Sequence, residues 1–322
     1  MKRVLITDDV HALLLEGLEK EGYSVDYRPK ISQDEVISVI HLYDGVVINT
    51  KTKAYAPLLE KAKKLKFIGR LGSGLDIIDL PLAAQKGIRV YSAPEGNRNA
   101  VAEHALGMLL ALLHKLPAAD RTVREGLPWN REAYRGRELM NLTVGVVGCG
   151  NTGSSFVKKL GGMGVKVLIH DKYRHFLAEG ISWASQCTLT ELQENADVIS
   201  LHLPLTSETQ YLVNDEFMNR CKKGVILINT CRGKVVDTKS LTEHLKTGQV
   251  GGACLDVFEN EHPDTFSTQE KALYTRLYEF PQVVLSPHVA GWSVQSKKRI
   301  AEVLLSKICH SVGIQTNDIP QL

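Results

Sequence analysis

The stretch VGVVGCGNTG, residues 144–153, constrains the fold of this chain more than any other. A β-branched run passes directly into three glycines spaced G-x-G-x-x-G, and a helical pattern follows. The first glycine permits a tight turn, the second lets the backbone approach a ligand closely, and the third lets the helix pack against the strand. A strand that turns at once into a helix is the first half of a crossover between parallel strands, so a parallel sheet with helices on its faces is required. Such a turn usually opens its domain. Here 143 residues precede it, and the 322 residues of the chain are more than one core of ordinary size accommodates, so two domains are expected.

The preceding residues have a rhythm of their own. Short β-branched runs at VLIT (4–7), SVDY (24–27), GVVINT (45–50), FIGR (67–70) and RVYSA (89–93) alternate with amphipathic segments such as HALLLEGLEKEG, which Gly22 stops. This is a complete α/β domain without a phosphate-binding glycine fingerprint. A helix from about Ala100 to His114, apolar almost all round, is read as buried on every side and as an interdomain or intersubunit element. From Thr143 the alternation restarts through TVGVV, KVLIH, DVISLHL, GVILINT, GACLDVF and QVVLSP. The last helix, Ser296 to about Val312, is expected to return to the first domain. The fold class is therefore α/β, with two doubly wound parallel-sheet domains.

Composition excludes several classes. A net charge of +3, from 39 basic and 36 acidic residues evenly spread, provides no basic stripe for nucleic acid. The apolar run behind the N-terminal MKR is too short for a signal peptide, and the longest one, ALGMLLALL (105–113), is about half of the ~20 residues a membrane span needs. Six cysteines with no CxxC pair or zinc-like spacing read as reduced thiols, so no metal and a cytoplasmic location are expected.

Gly148, Gly150 and Gly153, with Cys149, Asn151 and Thr152 between them, form a seat for a pyrophosphate at a helix N-terminus. The next strand, KVLIH, ends at Asp171, 23 residues beyond Gly148, where a carboxylate accepts from ribose hydroxyls and repels a 2′-phosphate. NAD is therefore expected rather than NADP, although Lys172 and Arg174 nearby temper the preference.

Three polar residues stand where buried strands end: Arg232 after VILINTC, Glu261 after ACLDVFEN and His288 after VVLSP. In an open α/β sheet that edge is where ligands bind. Reduction of a 2-keto acid by NADH needs a group to fix the carboxylate, one to polarise the ketone and an acid to protonate its oxygen. The planar guanidinium of Arg232 suits the first two tasks. His288 suits the third, and a carboxylate such as Glu261 beside it would raise its pKa from about 6.5 and keep more of it protonated at neutral pH.

These segments, with RLGSGLD (70–76), AVAEHALGMLLAL (100–112), SLHLPLTSET (200–209), INTCRGKVVD (228–237), LDVFENE (255–261) and SPHVAG (286–291), resemble the D-isomer-specific 2-hydroxyacid dehydrogenases, a family that includes D-lactate, D-glycerate and D-3-phosphoglycerate dehydrogenases. The resemblance implies a flavodoxin-like substrate domain formed by residues 1–98 plus 291–322, and an inserted Rossmann NAD-binding domain, 99–290, with a cleft that closes over substrate. It implies that Arg232 binds the substrate carboxylate and that Glu261 and His288 form a proton-relay pair. It further implies that Asp256 and Cys231 lie beside the nicotinamide, that Leu203 and Pro204 line the adenine side, and that the backbone of Ser73 and Gly74 holds the substrate carboxylate. Two departures stand out. Asp76 is followed by Ile77 and Ile78 where relatives commonly have asparagine, and the long segment between Glu261 and His288 suggests an extra helix over the active-site mouth.

For the remainder of the substrate, Lys51, with Lys53 and Arg98, is a candidate phosphate contact, and Trp292 is a candidate pocket wall. D-3-phosphoglycerate is the expected substrate, with D-glycerate/hydroxypyruvate or D-lactate as alternatives. A homodimer is expected, and without a regulatory module after residue 322, amino-acid feedback is not. The rival readings are a non-catalytic, NAD-sensing protein like the related corepressors, a methyltransferase, which leaves the three strand-end residues unexplained, and a formate dehydrogenase, which pairs its histidine with glutamine.

Overall fold

In a computed structural model the described residues are 2–174 and 183–310. The chain divides into two compact units, one running to Arg98 and resuming at Gly291, the other Asn99–Ala290.

The first unit contains β1 (Lys2–Ile6), β2 (Tyr23–Tyr27), β3 (Gly45–Ile48), β4 (Phe67–Arg70) and β5 (Arg89–Ser92), in the order β2-β1-β3-β4-β5 with every pair parallel. This is the flavodoxin-like order. Adjacent residues of one strand face opposite ways, so β1 sends Leu5 into one core with Val46 and Ile68, and Val4 and Ile6 into the other with Val47 and Phe67. Because both faces are covered, the strands read as continuous apolar runs rather than alternating ones. The helix Val294–His310 lays Ala301, Leu304 and Ile308 onto the second of these cores. Its expected end near Val312 lies outside the described residues.

The second unit contains β6 (Thr143–Val147), β7 (Lys166–His170), β8 (Ala184–Gln186), β9 (Val198–Leu201), β10 (Val225–Asn229), β11 (Val250–Leu255) and β12 (Val283–Leu285). Their order is β12-β11-β10-β9-β6-β7-β8, again wholly parallel. It is the dinucleotide-fold order with one strand added beyond the sixth. Ile226 and Ile228 face one core while Val225 and Leu227 face the other. The order reverses between β6 and β9, which leaves a crevice at the carboxyl end of β6, where the glycine turn sits.

Three features differ from the sequence expectation. β8 was not foreseen, because Ala-Ser-Gln has no apolar signature and a three-residue edge strand needs none. The long apolar helix starts at Pro94, six residues earlier than expected, since proline is well tolerated in the first turn. It is also not enclosed all round, because Glu103 and Gly107 are exposed. The extra helix expected between Glu261 and His288 does form, at Thr268–Tyr278, opened by a capping box between Ser267 and Glu270.

Candidate active site

The glycine turn has the geometry a pyrophosphate needs. Gly148 has φ +88°, and Gly153 lies so close to it that a Cβ on Gly153 would stand 2.0 Å from the Gly148 carbonyl oxygen. At Gly150 the nearest group among the described residues is the Arg174 guanidinium, 4.0 Å from an added Cβ. The helix Asn151–Leu160 begins there with no side chain capping its first N–H groups. Uncapped donors and a partial positive charge fit a phosphate pair. Asp171 holds the turn from the side: Oδ2 accepts the Cys149 N–H at 2.8 Å, and Oδ1 accepts those of Tyr173 and Arg174 at 3.0 Å each. Lys172 is ion-paired to Glu208 at 2.9 Å, which ties up the cation that would otherwise favour a 2′-phosphate.

Arg232, Glu261 and His288 follow three neighbouring strands, β10, β11 and β12, at their carboxyl ends. His288 Nδ1 lies 2.7 Å from Glu261 Oε2. Burial pushes the Glu261 carboxyl up, but the His288 hydrogen bond and charge, the Phe258 amide and the Arg232 charge outweigh it and hold the group below the usual carboxylate range. Glu261 is thus an ionised acceptor against the imidazole, and Arg232 is close enough to act on it. With Nδ1 engaged, Nε2 is the nitrogen left for proton transfer. His288 itself has φ +55°, a conformation uncommon outside glycine and found preferentially at functional sites.

Several residues that build this arrangement were not singled out from the sequence. Asn229, 1% exposed, folds the arginine loop: Oδ1 accepts the Cys231 N–H at 3.1 Å, and Nδ2 donates to the Arg232 carbonyl at 2.9 Å. Gly233 then presses that loop onto the glutamate loop, where a Cβ would stand 1.9 Å from the Phe258 carbonyl carbon and oxygen. An arginine-glycine pair directly after an apolar strand was the available signal for such close approach. The glutamate loop is fastened residue by residue. Phe258 meets Tyr274 edge to face at 6.0 Å. Glu259 accepts from Tyr211 Oη at 2.7 Å and from the Thr238 N–H at 2.9 Å. The Asn260 N–H donates to Tyr274 Oη at 3.1 Å. Tyr274 belongs to the extra helix, so that segment braces the stretch leading to Glu261.

The other expected contacts are placed as follows. Cys231 is buried, Leu203 half-buried and Pro204 exposed. Asp256, expected beside a nicotinamide, is fully enclosed. In the first unit, Ser73 and Gly74 are half-buried, and Ser73 Oγ donates to Asn97 Oδ1 at 3.2 Å. Lys51 Nζ donates to the Pro29 carbonyl at 2.6 Å, and Lys53 Nζ to that of Thr50 at 2.8 Å. Trp292 is exposed. Among the described residues no cluster of three or more His, Cys, Asp or Glu could hold a metal, and no helix is long and apolar enough to cross a membrane.

Comparison with known proteins places the chain in a family. Residues 106–290 match the family described as "D-isomer specific 2-hydroxyacid dehydrogenase, NAD binding domain". A D-3-phosphoglycerate dehydrogenase of Synechocystis is 36% identical over 304 residues, 94% of this chain and 52% of that protein. A hydroxypyruvate reductase of Thermotoga maritima is 34% identical over 284 residues, covering 88% of this chain and 90% of the relative. The crystal structure of D-lactate dehydrogenase from Aquifex aeolicus, complexed with NAD and lactic acid, has a TM-score of 0.82 at 30% identity, covering 95% of this chain and 94% of that one. The chain spans about half the length of the phosphoglycerate dehydrogenases it matches. The cofactor of the matched domain is NAD. The chain belongs to the D-isomer specific 2-hydroxyacid dehydrogenase family.

Proposed function

We propose that this chain is an NAD-dependent D-2-hydroxyacid dehydrogenase, reversibly reducing a 2-keto acid with His288 as acid and base. The observation that carries the reading is the 2.7 Å contact between His288 Nδ1 and an ionised Glu261, at strand ends next to the one that presents Arg232. Residues 148–153 and Asp171 would hold the cofactor, which would supply the hydride as NADH in reduction and take it up as NAD+ in oxidation. Arg232 fixes the substrate carboxylate and polarises the keto oxygen with its fork of donors. Glu261 fixes the tautomer and orientation of His288, which delivers its Nε2 proton to that oxygen during reduction and removes it during oxidation. Ser73 and Gly74 are assigned to the substrate carboxylate and Trp292 to the pocket wall. NADH oxidation against a panel of 2-keto acids tests the reading, with Arg232→Ala as control. Turnover of at least one acid, lost in the control, is expected. NADH binding without any turnover would favour a non-catalytic sensor instead.

D-3-phosphoglycerate is the proposed substrate, supported by the 36% identity to a phosphoglycerate dehydrogenase and by exposed Lys51 as a phosphate partner. Hydroxypyruvate is the second reading, favoured by the bond that already occupies Lys51 Nζ on the Pro29 carbonyl. Relative kcat/KM for phosphohydroxypyruvate and hydroxypyruvate decides between them, and Lys51→Ala lowers only the former if the first holds. A homodimer belongs to the same proposal, supported by exposed Leu116, Val123, Leu127 and Trp129 on and after the helix Leu116–Arg124; sedimentation tests it. A cytoplasmic setting is supported by six cysteines that are all free thiols, with burial pushing Cys149 and Cys221 up to about 12.

A further inference from the structure

Asp256 is fully buried, and its carboxylate gathers the turn that follows β12. Oδ1 accepts from Ser286 Oγ at 2.5 Å and from the Val289 N–H at 2.9 Å, while Oδ2 accepts the Ala290 N–H at 2.8 Å. The backbone carbonyl of Asp256 accepts the His288 N–H at 2.7 Å. Ser286 Oγ also lies 2.8 Å from His104 Nε2, on the helix Pro94–Leu113, and that nitrogen is 3.6 Å from Asp256 Oδ1. The side chain and backbone of one buried residue thus bind four of the five residues 286–290, and the fifth is a proline.

In the middle of this turn His288 adopts its left-handed conformation. Such a backbone state persists only where its surroundings over-determine it. The donors around Asp256 do so, because a buried carboxylate with three donors aimed at it penalises any rearrangement that leaves one unpaired. His104 Nε2 gives the Ser286 hydroxyl a second partner beside Asp256.

We infer that Asp256, Ser286 and His104 are positioning residues for the proton donor: together they hold the left-handed turn that sets His288 Nδ1 against Glu261 and leaves Nε2 for the substrate. The inference rests on His288 being the acid and base of the proposed dehydrogenase. It gives Asp256 a task its enclosed carboxylate is built for.

The test compares Ser286→Ala, Ser286→Thr and Asp256→Asn with His288→Ala, all at a temperature well below melting. Ser286→Ala should lower kcat about tenfold and Asp256→Asn about a hundredfold, the scale of loss expected when reacting groups are misplaced by around 1 Å. The NADH dissociation constant, read by fluorescence, should stay within about twofold of wild type for Ser286→Ala. Ser286→Thr, which restores the hydroxyl, should recover most of the activity. In ¹⁵N spectra the His288 ring signals should move in Ser286→Ala and return in Ser286→Thr, a readout that remains if Asp256→Asn fails to fold. A Ser286→Ala protein that melts earlier, yet keeps wild-type kcat and wild-type His288 ring signals, overturns the inference. If His288→Ala itself turns over normally, the proposed acid and base is wrong, which is a distinct failure.

Discussion

Gly233→Ala perturbs the active site without touching any group assigned to the chemistry. The added methyl would stand 1.9 Å from both atoms of the Phe258 carbonyl and 2.5 Å from Glu259 N, whereas a carbon–oxygen contact rests at about 3.3 Å. The obstacle is backbone, so no side-chain rotation relieves it, and the arginine and glutamate loops must part by more than 1 Å. Overpacking of this kind costs about 1–3 kcal/mol of stability, well below what a domain of this size needs to unfold. A similar energy spent on the transition state is far more visible, because a displacement of about 1 Å between reacting groups lowers the rate on the order of a hundredfold. Gly233 is remote from the glycine turn in sequence and belongs to the strand-end loops, so NADH affinity should change little. Steady-state NADH oxidation, NADH fluorescence titration and thermal melting together read all three quantities. A folded Gly233→Ala protein with kcat within threefold of wild type would refute the claim that close contact between these loops sets the catalytic geometry.

Glu261→Gln removes the charge that favours a proton on the dyad, so the high-pH limb of the reduction profile should move to lower pH; an unmoved limb in the pH–rate profile would contradict the pairing. Asp171→Ala deletes a carboxylate that holds three turn amides, and competition binding should show weaker NADH affinity together with a rise of about tenfold or more in the NADPH-to-NADH affinity ratio. His202 is pulled down to about 4 by burial. Its folded pKa lies below its unfolded value near 6.5, so the neutral ring contributes stability fully above that value, and the contribution is lost as pH falls from about 6.5 to about 4, some 3 kcal/mol in all. In His202→Gln, denaturant titrations between pH 7 and pH 4 should lose correspondingly less stability than wild type does; parallel losses would remove His202 as a source of acid sensitivity.

How far the sequence could be read follows from the range of the forces involved. Strands such as Val225–Asn229 announce themselves because burial on both faces gives a continuous apolar run, here Val225 to Ile228. Gly148 and Gly153 were legible because turn and helix packing are local demands, and Arg232, Glu261 and His288 because polar residues at the ends of buried strands are conspicuous. The polar Ala184–Gln186 edge strand was hidden, since an edge tolerates any side chain. The contact between His104 and Ser286 joins residues 182 positions apart, and nothing in either neighbourhood marks it. Gly233 carried a local signal in its arginine-glycine pair but not the identity of the Phe258 carbonyl it presses on, and Lys51 showed its charge but not the Pro29 carbonyl it binds.

The central claim is that His288, oriented by Glu261, is the proton donor in keto-acid reduction. The most direct test is a single-turnover, stopped-flow measurement of NADH oxidation by His288→Gln loaded with saturating 2-keto acid. The hydride-transfer rate should fall by about 10²–10⁴-fold, with the NADH dissociation constant unchanged. A single-turnover rate equal to that of the unmodified protein would contradict it.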